Sequence, residues 1–237
     1  IGGVSPGSMP ADSVTIEEEG VIFDNVLLVD EGRFLEAETR ELLGSGRWPA
    51  RNIDQNIADL AAQIAACARG ASALVGIAGQ YGADVVSAYM AHVQDYAAEA
   101  VQRLIPTLSS GEFSYEMDSG AVVKARIDVD GEAGTMTVDF TGTSDQQPSN
   151  FNAPLAVTRA AVLYAVRTLI DDPIPLNDGC LRAVSITVPQ GSMLNPEYPA
   201  AVVAGNVEVS QVVTDTIFGA LGAMAAAQGT MNNLTFG

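Results

Sequence analysis

The amino-acid sequence predicts an α+β fold in which a long helical hairpin accompanies a mixed or antiparallel sheet and further packed helices. Apolar residues recur at helical spacing over residues 52–70 and again over 84–104. They then alternate at strand spacing over residues 123–129. An apolar content of 48% over 237 residues is sufficient to form a buried core.

The elements fall into three sub-regions. Residues 1–50 contain Gly-rich turns and a strand, and residues 51–108 form the helical hairpin, whose first helix is predicted to end near Gly70. Residues 109–237 form the α/β part. Because helical and strand periodicity alternate along the chain, an α+β fold is favoured over a pure bundle or sandwich.

Within the α/β part, the alternating segment and the following TMTVDF predict a β-hairpin. The pattern then predicts a helix over 157–170, a strand over 184–189 and a final helix over 208–227. The final helix would begin directly after the tripeptide AGN.

The chain is strongly acidic, with a formal net charge of −18 from 29 acidic and 11 basic residues. Nucleic acids and anionic membrane surfaces bind basic faces, so neither is an expected partner. The apolar stretch 212–227 is interrupted by Asp215 and is shorter than the roughly 20 residues that cross a bilayer, so we expect no membrane span. Two cysteines are too few for a disulfide framework, and we expect a reducing, cytoplasmic location.

Four short runs are dense in Asn, Gly and Pro. They are PSNFNAP (148–154), PLNDGC (175–180), VAGNVEVSQ (203–211) and QGTMNNLTFG (228–237). Asn side chains both donate and accept hydrogen bonds, and glycine lets the backbone approach a ligand closely. One such run alone is typical of a turn, but four in this part of the chain predict loops that converge on one polar site.

Two carboxylates stand inside these runs, Asp178 and Glu208, each bordered by apolar sequence. A carboxylate in such surroundings is suited to act as a general acid or base, and the alternative for each is a turn-stabilising or helix-capping hydrogen bond. We predict both as catalytic residues.

Neither a nucleotide motif nor a metal site is recognisable within the chain. The Gly-rich opening lacks the lysine of a P-loop, and Lys124 is the only lysine present. A single histidine, His92, cannot supply a zinc-type site. We therefore assign no metal ligand, and any nucleotide must be bound elsewhere.

The four runs carry a family resemblance together with five further segments. These are PGSMPADS (6–13), EEEG (17–20), PARNIDQNIADLAAQIAACARG (49–70), QDYAAEAVQR (94–103) and VDFTGTSDQ (138–146). In this order and spacing they resemble the hydantoinase B/5-oxoprolinase family over essentially the whole chain. Because the chain opens on Ile rather than Met, we expect it to be a fragment of a longer polypeptide.

The resemblance implies a subunit of an ATP-dependent hydrolase that opens hydantoin or 5-oxoproline type rings. It implies a hetero-oligomer with a hydantoinase A-like partner that binds the ATP. It also implies a divalent metal in the full-length protein, with ligands expected upstream of Ile1, where the family carries a His-and-Asp motif.

The edge of a cyclic amide presents C=O and N–H groups, which side-chain amides complement. The predicted substrate-binding residues are Asn152, Asn177, Asn206, Gln211, Asn232 and Asn233. Asn206 is equally suited to cap the helix that follows it, and Gln211 lies about one turn further along, near the face of Glu208.

Two other interpretations remain open. Acetone carboxylase-like proteins resemble the same family and use ATP to carboxylate a ketone. The segment could instead be a non-catalytic scaffold for subunit assembly, because Ala-rich faces on both long helices permit close helix packing.

Overall fold

The computed structural model describes residues 1–7 and 9–224 of the chain. These residues form five α-helices and two small sheets, which confirms the predicted α+β class. The chain divides into two compact units, Ile1–Met90 and Ala91–Gly237. The division falls inside the segment predicted to be a helical hairpin.

The first unit contains two short strands and two helices. They are β1 (Val29–Asp30), β2 (Arg33–Phe34), α1 (Glu36–Leu43) and α2 (Ile53–Tyr81). A small core of Leu43, Ala50 and Ile57 is buried here. The Arg40 guanidinium lies 2.7 Å from the Asp54 carboxylate and 2.8 Å from that of Glu36, so it bridges α1 to the start of α2.

Helix α2 continues through Gly70 to Tyr81, so the predicted end near Gly70 is wrong. The flanking Ala and Leu residues are strong helix formers, and they offset the roughly 1 kcal/mol that a glycine costs inside a helix.

The extension makes α2 long and apolar enough to cross a membrane, with a mean hydropathy of 1.5 over an 18-residue window that is 0% buried. A single helix of this kind is weak evidence for a span, and the exclusion of a membrane stays a prediction.

Helix α3 (Ala83–Leu104) matches the helix predicted over 84–104. It is separated from α2 by Gly82 alone, whose φ of 92° is available to glycine at little cost. The antiparallel pairing of α2 with α3 stays a prediction.

The second unit is built on a four-stranded sheet of order β3-β4-β5-β6. Its strands are β3 (Gly111–Glu116), β4 (Val122–Asp130), β5 (Thr135–Asp139) and β6 (Val184–Thr187). The first three are antiparallel and β6 is parallel to β5, so the sheet is mixed. Val123, Ala125 and Ile127 are fully buried, which confirms the predicted strand and its inward face.

Besides the part of α3 beyond Met90, this unit contains two helices, α4 (Leu155–Thr168) and α5 (Ser210–Leu221). A parallel strand pair requires a crossover connection, and α4 lies within the connection between β5 and β6. Helix α5 packs on β3 and β4, and α4 packs on α5. A Cβ added at Gly219 would lie 2.7 Å from the Phe113 ring, so glycine sets how closely α5 approaches the sheet.

Helix α5 differs from its prediction at both ends. It is preceded by a turn of π-helix over Gly205–Val209, and it ends at Leu221, where Gly222 adopts a left-handed φ of 59°. A glycine in this conformation is a common helix terminator. The predicted end at residue 227 is therefore wrong.

Candidate functional site

A cavity of about 550 Å³ lies between α4 and α5, which we call the α4/α5 cavity. Its described lining residues are Val157, Ala160, Ala161, Tyr164, Thr168, Asn206, Ser210, Gln211, Thr214, Asp215, Phe218 and Met224. This volume falls within the range of small-molecule sites, roughly 300–1,000 Å³.

The cavity has two chemically different sides. The polar wall comprises Asn206, Ser210, Gln211, Thr214 and Asp215, which follow the pattern i, i+4, i+5, i+8, i+9 and so lie on one helix face. The apolar wall comprises Val157, Ala160 and Ala161 on the facing side of α4. A ligand with one polar and one apolar edge would match both walls.

Several donors of the polar wall are already engaged within the helix. Ser210 Oγ donates to the Asn206 carbonyl at 2.9 Å, and Thr214 Oγ1 donates to the Ser210 carbonyl at 3.0 Å. Gln211 Nε2 donates to the Val207 carbonyl at 3.0 Å. The hydroxyl oxygens and Gln211 Oε1 keep acceptor capacity, so this wall is rich in acceptors.

Asn206 lies inside the π-helical turn and its side chain is exposed at the cavity. The turn is preceded by Ala204 and has no side-chain cap, so the capping alternative for Asn206 is wrong. π-Helical turns are rare and occur frequently at functional sites, because the extra residue displaces side chains from the regular helical register.

Asp215 is the one described carboxylate in the cavity lining, and its residue is only 4% exposed. The described lining contains no Lys, Arg or His. Sequence reasoning did not select Asp215 as a site residue. The available signal was its position as the one charge within the apolar stretch 212–227.

Asn152 is fully buried and does not line the α4/α5 cavity. Its Oδ1 accepts from the Gln147 N–H at 2.7 Å. Its Nδ2 donates to the carbonyls of Gln147, Ser149 and Ala201 at 3.1, 2.8 and 2.9 Å. The amide is saturated by main-chain groups, so its role in this structure is to hold the loop.

That loop supports the turn that carries Asn206. The Ala204 N–H donates to the Asn150 carbonyl at 3.1 Å. A Cβ placed on Gly205 would overlap the main-chain oxygen of Asn152, so glycine permits the close approach. The runs 148–154 and 203–211 therefore meet, the first as support and the second as cavity wall.

The run 175–180 lies elsewhere in the second unit. Asn177 caps the short 3₁₀ helix Asp178–Leu181, accepting from the Gly179 N–H at 2.8 Å. Its Nδ2 donates to the Pro175 carbonyl at 3.1 Å. Asp178 is exposed, and neither residue is among those that line the cavity.

The remaining predicted residues are placed as follows. Gln211 lines the cavity, whereas Glu208 is half-buried on the π-helical turn and is not part of the described lining. Asn232 and Asn233 lie outside the described residues.

No group of three or more His, Cys, Asp or Glu residues within 1–7 and 9–224 could hold a metal ion.

The acidic run Glu17 to Glu19 has a structural role at Glu18. The Glu18 carboxylate accepts from the N–H groups of Val14 and Thr15 at 2.7 and 3.1 Å, and these bonds lower the pKa of Glu18.

Both the family models and the known sequences match this chain over its full length. The hydantoinase B/oxoprolinase family model matches residues 1–237. The chain is 41% identical over 264 residues to 5-oxoprolinase 1 of Arabidopsis thaliana, and 38% identical over 249 residues to the 5-oxoprolinase of Saccharomyces cerevisiae. It is covered completely in both alignments but spans only 21% and 19% of those relatives.

Two solved structures share the fold. The ATP-dependent caprolactamase from Pseudomonas jessenii superposes with a TM-score of 0.79 at 25% identity, covering 96% of this chain and 39% of that one. The nucleotide-free acetone carboxylase superposes with a TM-score of 0.69 at 17% identity, covering 98% of this chain and 32% of that one. The second likeness shows the fold alone.

Proposed function

Because this chain belongs to the hydantoinase B/oxoprolinase family, we propose that it forms part of an ATP-dependent enzyme that opens a cyclic amide. We place the ring in the α4/α5 cavity. The observation that carries this placement is the pairing of a polar wall with an apolar wall in a cavity of about 550 Å³. The relatives named 5-oxoprolinase and the caprolactamase structure support the substrate class.

The two walls match the two edges of a small cyclic amide. Its C=O and N–H would face the polar wall, where the amides of Asn206 and Gln211 can bind the C=O. Its methylene edge would lie against Val157, Ala160 and Ala161. Removing the apolar surface of the ring from water there would contribute a free energy of about 25 cal/mol per Å² to binding. Fixing the ring in one orientation lowers the entropic part of the barrier to attack on its carbonyl.

An unstrained amide resists water because resonance gives its C–N bond partial double-bond character. ATP supplies the activation that this bond requires, and we propose that a hydantoinase A-like partner binds it. The chain would then act in a hetero-oligomer.

Both cysteines are free, Cys67 exposed and Cys180 buried, which supports our proposal of a reducing, cytoplasmic location.

Among the two predicted acid–base residues, Glu208 stays a candidate because it shares the π-helical turn with Asn206. Asp178 does not line the cavity, so we assign it no catalytic step. The residues described here do not supply a metal site, so no step is assigned to a divalent metal on this part of the chain.

The test is ring opening by the full-length protein with and without its hydantoinase A-like partner, ATP and a divalent metal. The substrates are 5-oxoproline, hydantoin and caprolactam. We expect ATP-dependent ring opening only when both components are present. Bicarbonate-dependent turnover of acetone without ring opening would instead establish the carboxylase alternative, and binding of the partner without turnover of either kind would establish the scaffold.

A further inference from the structure

We infer that Asp215 is a specificity-determining residue that accepts a hydrogen bond from the ring N–H, so that the site selects cyclic amides with an unsubstituted nitrogen. This inference rests on the proposed function. It names which part of the cyclic amide the cavity recognises and which side chain recognises it.

The first step is the position of Asp215. It lies one helical turn beyond Gln211 on the polar wall, and its residue is only 4% exposed. A carboxylate is among the side chains least often buried, and where it is buried, hydrogen bonds within the protein offset its removal from water. Because Asp215 also lines the cavity, its carboxylate stands at the wall of the volume in which we place the ring.

The second step is the chemistry of the surrounding wall. Ser210 and Thr214 donate their hydroxyl hydrogens to main-chain carbonyls, so both present oxygen lone pairs. A carboxylate has two oxygens and several lone pairs, so Asp215 can accept a hydrogen bond from a ligand in addition to its contacts within the protein. An acceptor-rich wall recognises a donor, and every N-unsubstituted lactam or hydantoin carries at least one ring N–H.

The third step is the expected selectivity. Hydrogen bonds to charged groups contribute more than neutral ones, and leaving a buried carboxylate opposite a methyl group costs its desolvation. A site built to bind an N–H rejects the analogue that lacks it much more strongly than an apolar pocket rejects an extra methylene. We expect N-methylation of the ring to lower kcat/KM by about 10- to 100-fold.

The experiment uses the full-length protein with its partner and ATP, and compares caprolactam with N-methylcaprolactam and 2-pyrrolidinone with N-methyl-2-pyrrolidinone. Asp215→Asn keeps the shape of the side chain but exchanges one acceptor for a donor. We expect this variant to lose most of the preference for the unsubstituted ring, chiefly through a higher KM for that ring. Asp118→Asn, at an exposed turn outside the cavity, is the matched control and should keep the wild-type preference.

The outcomes separate the two proposals. Equal kcat/KM for both members of each pair in the wild-type enzyme would overturn the role of Asp215 and leave the proposed function intact. Unchanged preference in a folded Asp215→Asn variant would do the same. If that variant does not fold, the wild-type comparison still decides. Absence of ring opening with every unsubstituted amide would overturn the proposed function and, with it, this inference.

Discussion

The loop 148–154 and the turn 203–211 lie against each other, yet they present asparagine in opposite surroundings. Asn152 is fully buried and its amide is bound by four main-chain groups. Asn206 is exposed and its amide lines the α4/α5 cavity. The same residue type therefore stabilises the fold in one segment and is available to a ligand in the other.

The difference shows that the extent to which an amide is hydrogen-bonded determines what it can do. A saturated, buried amide has no remaining group for a substrate, and its removal leaves several main-chain groups unpaired. An exposed amide at a cavity contributes little to folding but can bind a ring. The substitutions below should therefore change either the stability of the fold or the rate of ring opening.

The largest effect is expected for Asn152→Ala. The change leaves one N–H and three carbonyls of the loop without their side-chain partner in a buried setting. We expect the free energy of unfolding to fall by about 3 to 4 kcal/mol, measured by urea denaturation of the full-length protein. A loss below about 1 kcal/mol would show that Asn152 is not the structural member of the pair.

Gly205→Ala should be the next most damaging, because the added methyl group overlaps the main-chain oxygen of Asn152. Overpacking of this kind costs about 1–3 kcal/mol. The matched control is Gly76→Ala in α2, where nothing lies within 4 Å of the added Cβ. Gly76→Ala should stabilise the helix by up to about 1 kcal/mol. Equal destabilisation by Gly205→Ala and Gly76→Ala would contradict a close contact between Gly205 and the main chain of Asn152.

Asn206→Ala and Gln211→Ala should leave the unfolding transition nearly unchanged and reduce ring opening. Loss of one hydrogen bond to the substrate predicts a fall in kcat/KM of about 10-fold for each variant. Thermal unfolding of the same preparations is the control. Full activity in both variants would remove the α4/α5 cavity as the ring site.

The smallest expected effect is on the pH dependence of stability, through Asp139, another polar group with a structural role. Hydrogen bonds from Thr141 and, to a lesser extent, the Arg126 charge hold the pKa of Asp139 below its usual value. A lowered folded-state pKa means that the ionised carboxylate stabilises the fold above the unfolded-state pKa, and that this stabilisation is lost as pH falls through the folded-state pKa.

Asp139→Asn should therefore be less stable than the wild type at neutral pH, by about 0.5 kcal/mol, and the two should converge in acid. The cost of Asn152→Ala should not vary between about pH 5 and 8, because an amide does not titrate there. Unfolding curves at a series of pH values measure both. If the difference in unfolding free energy between Asp139→Asn and the wild type grew larger in acid, the lowered pKa of Asp139 would not explain it.

Periodicity predicted much of the second unit. The alternating residues of β4 and the helical pattern of α4 are strong local signals, and both elements formed where expected. Strand β3 was missed although EFSYE alternates polar with aromatic residues; the run is short and mostly exposed, and its alternation was overlooked. Gly70 was mistaken for a terminator because local sequence does not show whether neighbouring helix formers outweigh one glycine.

The candidate site was less accessible to sequence reasoning. The Asn-rich runs indicated polar loops, but composition cannot reveal that Asn152 is saturated while Asn206 faces a cavity. Nor can spacing reveal that α4 lies opposite the polar face of α5, since that contact depends on long-range packing. Asp215 was noted only as an interruption of an apolar stretch, although this buried carboxyl group lines the cavity.

The most direct test of the central claim is a crystal structure of the full-length protein with its partner and a bound cyclic amide, in the absence of ATP. We predict that the ring lies between α4 and α5, with its polar edge at Asn206 and Gln211 and its methylene edge on Val157. A ring bound elsewhere, with the α4/α5 cavity filled only by solvent or by another part of the protein, would contradict the account.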